Sequence, residues 1–256
     1  MELWNLQPAQ AEMLFLGGIR LTAMLVIAPV FGARNVPRLA KIGLGMLLAY
    51  IIVPLSAVPA AAPLSLGEFV VAIGKECLVG LLAGWAVSLI VAGIQLAGAL
   101  CGAQLSLGME SISDPMSGHQ SGASEQLYIV FAMMIFLGTN SHHQLLLAIK
   151  SLFELLPVNG LVIDDLMPDR LILLSAQMLV VAARVAIPII AASMVADVAL
   201  AILAKIAPQT NVFFVGIPMK IGLASIAMVF TLPYMASYTE SLYNGLFKWV
   251  FIVFGL

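Results

Sequence analysis

Between Glu76 and Glu110 the chain carries no formal charge: residues 77–109 pass without one Asp, Glu, Lys or Arg. About 20 mainly apolar residues suffice to carry an α-helix across a bilayer, so this single run is already longer than one crossing requires. Further charge-free runs separate Arg20 from Arg34, Lys41 from Glu68, Glu125 from Lys150 and Lys220 from Glu240. The whole composition agrees. The chain is 62% hydrophobic and 9% charged, with a mean hydropathy of +1.09. Soluble domains are about 25% charged and about 45–50% apolar. A water-soluble fold of this size has nowhere to hide so much apolar surface, and in lipid a helix satisfies its own backbone polar groups. The expected class is therefore an all-α integral membrane protein built of long hydrophobic helices.

Several kinds of function are excluded on chemistry. The net charge is −2, which leaves no basic face for a phosphate backbone and argues against nucleic-acid binding. No GxxxxGK phosphate loop and no HExxH zinc motif occur, so an ATP-driven motor would have to sit on another polypeptide. His142 and His143 are adjacent and point in different directions on a helix, a poor chelate, and His119 lies in a different segment. No Ser/His/Asp or Cys/His set suggests itself. The reading is a non-enzymatic protein with no metal and no cofactor. Cys77 and Cys101, if on one helix, stand about 36 Å apart, too far for a disulfide. The stretch before Arg20 has no Lys or Arg, whereas a cleaved signal peptide needs a basic start, so the first apolar segment is expected to be retained.

Six apolar blocks follow one another: Ala11–Phe31, Ile42–Val58, Gly67–Met109, Gln126–Leu152, Leu171–Ile206 and Asn211–Leu256. No soluble domain fits between them, so residues 1–256 read as a single membrane domain. The sixth block is expected to be two helices, interrupted by Pro233 and the polar Ser237–Glu240 stretch. Basic residues gather after the first block (Arg34, Arg38, Lys41) and around Lys205 and Lys220, and acidic ones between the fourth and fifth (Glu154, Asp164, Asp165, Asp169). Under the positive-inside rule, with one crossing per block, this places the N-terminus outside the cytoplasm. The third block strains that simple scheme. As one helix it would be about 64 Å long, against a hydrocarbon core of about 30 Å. It must bend back, tilt steeply, or project beyond the bilayer under the cover of other helices.

Within that block Gly80, Gly84, Ser88 and Ala92 recur at every fourth position, and Gly98 and Gly102 follow. Small residues at this spacing form a flat stripe that lets another backbone approach closely. Five charges, Arg20, Lys75, Glu76, Arg184 and Asp197, sit in or near the apolar segments, where each is costly unless paired or facing water. Pairing between helices or subunits is favoured over an ion or proton pathway, since the carboxylates are not clustered. Arg184 and Asp197 are about 20 Å apart along one helix and cannot pair with each other. The polar stretch of residues 109–125, rich in Ser and Gly, separates two long apolar blocks. It reads either as a solvent loop or as a mobile segment closing a passage, because irregular backbone at membrane depth survives only inside protein or facing water. Met133 and Met134 could line a conforming seal, though methionine is also ordinary apolar filler.

These residues carry a resemblance. The run Ala204-Lys205-Ile206-Ala207-Pro208-Gln209-Thr210-Asn211-Val212-Phe213, then Gly216, Pro218 and Lys220, is its most specific part. Arg20, Pro29, Phe31, Val36-Pro37, Lys41, Lys75-Glu76, Gly80 and Asp114-Pro115 extend it over nearly the whole chain. The chain resembles the FliR family of flagellar biosynthesis proteins, components of the type III secretion export gate, to which the injectisome gate proteins are related. The resemblance implies long helices arranged as hairpins within a helical hetero-oligomeric assembly. That assembly sits in the bacterial inner membrane at the flagellar basal body and protrudes toward the periplasm. FliP-like and FliQ-like membrane proteins would be direct partners, and FlhB-like and FlhA-like components of the export apparatus would be neighbours. Unfolded exported proteins would be the cargo, membrane lipid would surround the whole, and the assembly would template the rod. It further implies that Met109, Glu110, Ser111, Ile112, Ser113, Asp114, Pro115, Met116, Ser117, Gly118 and His119 belong to a plug of the closed channel. A multi-pass secondary transporter for a small solute is the competing expectation, since intramembrane charges and proline-broken helices mark transporter sites. The halves 1–125 and 126–256 show no convincing similarity to each other.

Overall fold

The computed structural model describes residues 8–33, 35–55, 65–104, 122–162, 164–207 and 212–256. Among them every regular element is an α-helix. In chain order these are α1 (Pro8–Ile27), α2 (Arg38–Leu55), α3 (Leu66–Gln104), α4 (Ala123–Gly138), α5 (Ser141–Leu155), α6 (Met167–Ile206), α7 (Val212–Asn244) and α8 (Leu246–Phe254). Four stretches, Ala9–Ile27, Leu66–Gln104, Met167–Ile206 and Pro218–Asn244, are long and apolar enough to cross a membrane. The chain is an all-α protein of membrane-spanning type.

The helix ends follow from local chemistry. Pro8 opens α1, where a missing N–H is harmless. At the start of α3, Glu68 reaches back to accept from both the backbone N–H (2.9 Å) and the hydroxyl (2.7 Å) of Ser65, which is the glutamate's half of a capping box. α3 has 39 residues, about 58 Å of helix, twice the thickness of a hydrocarbon core. The third apolar block thus forms one uninterrupted helix at least to Gln104.

Two helix boundaries differ from the apolar blocks. The fourth block is divided at Thr139–Asn140. There the Thr139 hydroxyl turns back onto the Ile135 carbonyl (2.8 Å), and Asn140 takes a left-handed φ of 56°, a conformation Asn tolerates better than most residues. In the sixth block the expected interruption at Pro233 and Ser237–Glu240 is absent. α7 runs through Pro218 and Pro233 to Asn244, and the helix restarts only after Gly245. A proline removes a single intrahelical bond, and apolar helices continue across that loss, whereas glycine gives no side-chain support to a helix at all.

The chain divides into two compact units. The first comprises Met1–Leu89, Asn140–Ser175 and Asn244–Leu256; the second comprises Ile90–Thr139 and Ala176–Tyr243. In the first unit α1 and α2 form a hairpin in which glycines admit the opposite side chains. Gly17 faces Val53, Gly18 faces Met46, and Gly45 faces Thr22. α5 and α8 lie side by side. Their apolar faces recur at helical spacing, Leu145, Ala148, Ile149 and Leu152 on one and Leu246, Trp249, Val250 and Val253 on the other, as amphipathic helices require. In the second unit the latter half of α3 meets α4 and α6. Gly93 faces Met178 and Val181, and Gly98 faces Glu125 and Tyr128. The Tyr128 hydroxyl donates to the Cys101 sulfur at 3.7 Å. The Tyr243 hydroxyl of α7 donates to the Ala132 carbonyl of α4 (3.2 Å), and the Tyr243 ring meets Phe136 edge-on. Cys77 and Cys101 are both free thiols.

Candidate functional site

The first unit holds an ion pair with almost no solvent access. Arg20 of α1 is 2% exposed and Glu76 of α3 is fully buried. Glu76 and Gly80 are four residues apart and so lie on one stripe of α3. A side chain at Gly80 would run into the Arg20 carbonyl. Without one, α3 lies directly on α1 and Glu76 comes within reach of the guanidinium. Arg20 Nε donates to Glu76 Oε2 (2.5 Å) and Nη2 donates to Oε1 (3.1 Å). The remaining donors turn to the loop after α5, with Nη1 bonded to the Leu156 carbonyl (2.8 Å) and Nη2 to that of Pro157 (3.2 Å). In return the Asn159 N–H donates to Glu76 Oε1 (2.7 Å). Asn159 has a φ of 63°, the left-handed turn conformation in which Asn is at home. Phe153 closes the cluster with its ring 4.4 Å from the guanidinium carbon. A buried ion pair is tolerable only when both partners are hydrogen-bonded throughout. Here helix α1, helix α3 and the loop after α5 meet at one pair of charges in which every side-chain nitrogen and oxygen has a hydrogen-bond partner. Lys75, beside Glu76 in sequence, is half-buried and makes no ion pair among the described residues.

The second unit holds the other charges. Lys220 of α7 donates to Asp197 of α6 at 2.8 Å. Nearby, Gly216 of α7 faces Leu200 of α6, and further along the Arg184 guanidinium lies over the Tyr238 ring, 5.8 Å from its centre. Residue numbers that rise on α6 as they fall on α7 describe an antiparallel hairpin, clasped at these levels. α6 and α7 are otherwise poorly covered. In the most apolar stretch of α6 a third of the residues are buried, and in that of α7 only 6%. Ile187, Met194, Val195 and Val198 on α6 and Ile226, Val229 and Phe230 on α7 are all exposed. An open apolar groove of about 390 Å³ runs between α4 and α7, lined by Phe131, Met134, Leu232 and Pro233 among others. Apolar surface of this extent on a long helix needs lipid or other helices against it.

Of the five charges singled out in the sequence, Arg20 pairs with Glu76, Asp197 and Arg184 lie on the α6–α7 hairpin, and Lys75 belongs to neither group. The glycines do not share one role. Gly80 and Gly84 lie against the backbone of α1, at Arg20 and Met24, while Gly98 lies against α4 and Gly102 touches only the Ser124 side chain there. Residues 109–119 lie outside the described residues, as do Pro208, Gln209, Asn211 and the side chain of Phe213. Gly216, Pro218 and Lys220 lie in α7. Leu156, Pro157 and Asn159 escaped the sequence reading because two of them act through backbone carbonyls and the third through its N–H. The only signal was the Asn159-Gly160 turn pair. Lys220 could be noticed in the sequence, but its tie to Asp197 could not. Among the described residues no group of three or more His, Cys, Asp or Glu is placed to hold a metal ion.

Comparison with known proteins identifies the fold's lineage. Residues 11–246 match the family described as "Bacterial export proteins, family 1". The chain is 31% identical over 216 residues to the "Flagellar biosynthetic protein FliR" of Bacillus subtilis, covering 82% of each. It is 25% identical over 236 residues to the protein of that name in Escherichia coli, covering 90% of this chain and 88% of the relative. With that of Aquifex aeolicus it shares 23% identity over 235 residues, covering 92% and 91%. The match runs from within α1 to the start of α8 and takes in both compact units, so the chain belongs to the FliR group of bacterial export proteins, membrane proteins of flagellar biosynthesis.

Proposed function

We propose that the chain is a non-enzymatic subunit of the flagellar type III secretion export gate in the bacterial inner membrane. In this reading it joins FliP-like and FliQ-like membrane proteins in a hetero-oligomer that protrudes toward the periplasm and stands beside FlhB-like and FlhA-like components. The oligomer forms the channel for unfolded flagellar proteins and helps nucleate the rod. The observation that carries the reading is family membership over residues 11–246 combined with the bare apolar flanks of α6 and α7. Neighbouring subunits would cover those flanks. The buried Arg20–Glu76 pair serves this role as a fixed point that holds α1, α3 and the loop after α5 together, rather than as a proton relay.

Residues 109–119 act as a plug of the closed channel. Support comes from their place in sequence between the apolar helices α3 and α4 and from the family resemblance. Deleting residues 111–124 should let small ions leak through the assembled gate, and an unchanged ion barrier would rule the plug out. The assembly itself is tested by native mass in mild detergent, with the chain produced alone and then together with its FliP-like and FliQ-like partners. One large complex containing this chain supports the reading. A stable monomer that ignores those partners, above all one that moves a small solute in liposomes, would favour a secondary transporter instead.

A further inference from the structure

We infer that the face of the second unit around Arg184 docks a membrane helix of another polypeptide that carries a carboxylate at the level of Arg184. The inference rests on the export-gate reading for the existence of partner helices, and adds where one of them binds and by what chemistry.

Arg184 is the only formal charge between Arg170 and Asp197, about 20 Å of helix from either. It is exposed. Its guanidinium lies over the Tyr238 ring, a contact that leaves the N–H donors unused, and it makes no hydrogen bond or ion pair among the described residues. The backbone adds a second polar demand at the same level. Pro188 lies four residues on, inside α6, and has no N–H to give to the Arg184 carbonyl. Around this polar spot the surface is apolar and open: Val180 is 48% exposed, Ile187 58% and Tyr234 50%.

Among the described residues of the unit no carboxylate pairs with Arg184. Asp197 is already held by Lys220. Glu240 stands two positions beyond Tyr238, and residues two apart on a helix do not share a face. Lipid is a poor occupant too. Where α6 crosses the bilayer, Arg184 sits near the centre of its apolar stretch, about 15 Å from either edge of the core. A phosphate that did reach it would only accept hydrogen bonds and would leave the Arg184 carbonyl unanswered. A protein helix can bring a carboxylate to the guanidinium and a neighbouring hydroxyl or amide to the carbonyl, and can cover Val180 and Ile187 with its own apolar side chains.

The test uses the full chain in a flagellated host that lacks its own copy, with native mass in mild detergent as the readout. The wild-type chain is measured first, and if it forms no hetero-oligomer the export-gate reading itself fails, whatever Arg184 does. With wild-type assembly in hand, Arg184→Lys should assemble. Arg184→Met and Arg184→Glu should lower the yield of complex by about tenfold or more, while the unassembled variants keep the wild-type melting temperature. If Arg184→Glu fails to accumulate, Arg184→Met, which brings in no new charge, decides the matter alone. Second-site revertants of Arg184→Glu should change an Asp or Glu to Lys or Arg in another membrane protein. Assembly of Arg184→Met at the wild-type level, or revertants confined to this chain or to lipid synthesis, would overturn the inference.

Discussion

At the scale of single residues, the weight of the first unit falls on two opposite charges 56 positions apart in sequence. Each is costly when buried alone, and together they use the loop carbonyls and the Asn159 N–H to leave little unsatisfied. Removing one partner strands the other, at a cost of about 3–5 kcal/mol, whereas replacing both by apolar side chains of similar size is often neutral. Arg20→Met and Glu76→Leu should therefore each lower the melting temperature of the detergent-solubilised chain substantially, and the double variant should recover part of the loss. Single variants that melt like the wild type would show that the pair does not hold this unit. That each charge wants a partner was legible from its apolar neighbours. That Arg20 finds Glu76 was not, because nothing local to either residue encodes an approach between α1 and α3. The nearest signal is Gly80, one turn beyond Glu76, and it says only that something comes close.

At the scale of elements, long helices meet where glycines remove the side chains between them. Gly80 and Gly74 make a controlled comparison on one helix. A methyl group at Gly80 would run into the Arg20 carbonyl, while one at Gly74 would meet nothing within 4 Å. Gly80→Ala should destabilise by about 1–3 kcal/mol, as forced overpacking does. Gly74→Ala should be neutral or stabilise by up to about 1 kcal/mol through helix propensity. Thermal melting of both variants checks this, and equal effects would mean that α3 does not lie on α1 at Gly80. The sequence made the long apolar helices plain. Breaks were harder to place. Pro233 is a stronger breaker in principle than Asn140 or Gly245, yet α7 absorbs it, while the chain turns at Asn140 because a left-handed residue there redirects the next helix. Which interruption ends a helix is decided by what the following segment can pack against, and that is tertiary information.

At the scale of the whole molecule, the covering of the helices is uneven. α3 is well buried within the chain, whereas α6 and α7 present long apolar flanks. A solitary protein could leave such flanks to lipid. The proposed function gives them a different use, as surfaces on which an export gate is built; membership of a bacterial export family, with relatives named for flagellar biosynthesis, supports that reading. Composition and charge-free runs made the membrane class legible, and the Pro208–Phe213 signature made the family legible. In the proposed gate the arrangement of subunits is not written in one chain, because the contacts that decide it would belong half to other polypeptides. The account therefore stands or falls on export. The measurement is the amount of flagellar protein delivered outside the cytoplasm by cells that lack this chain, before and after it is supplied again. The account predicts that delivery stops without the chain and returns with it, while the flagellar proteins continue to be made and accumulate inside. Undiminished delivery in the cells that lack it would contradict the central claim.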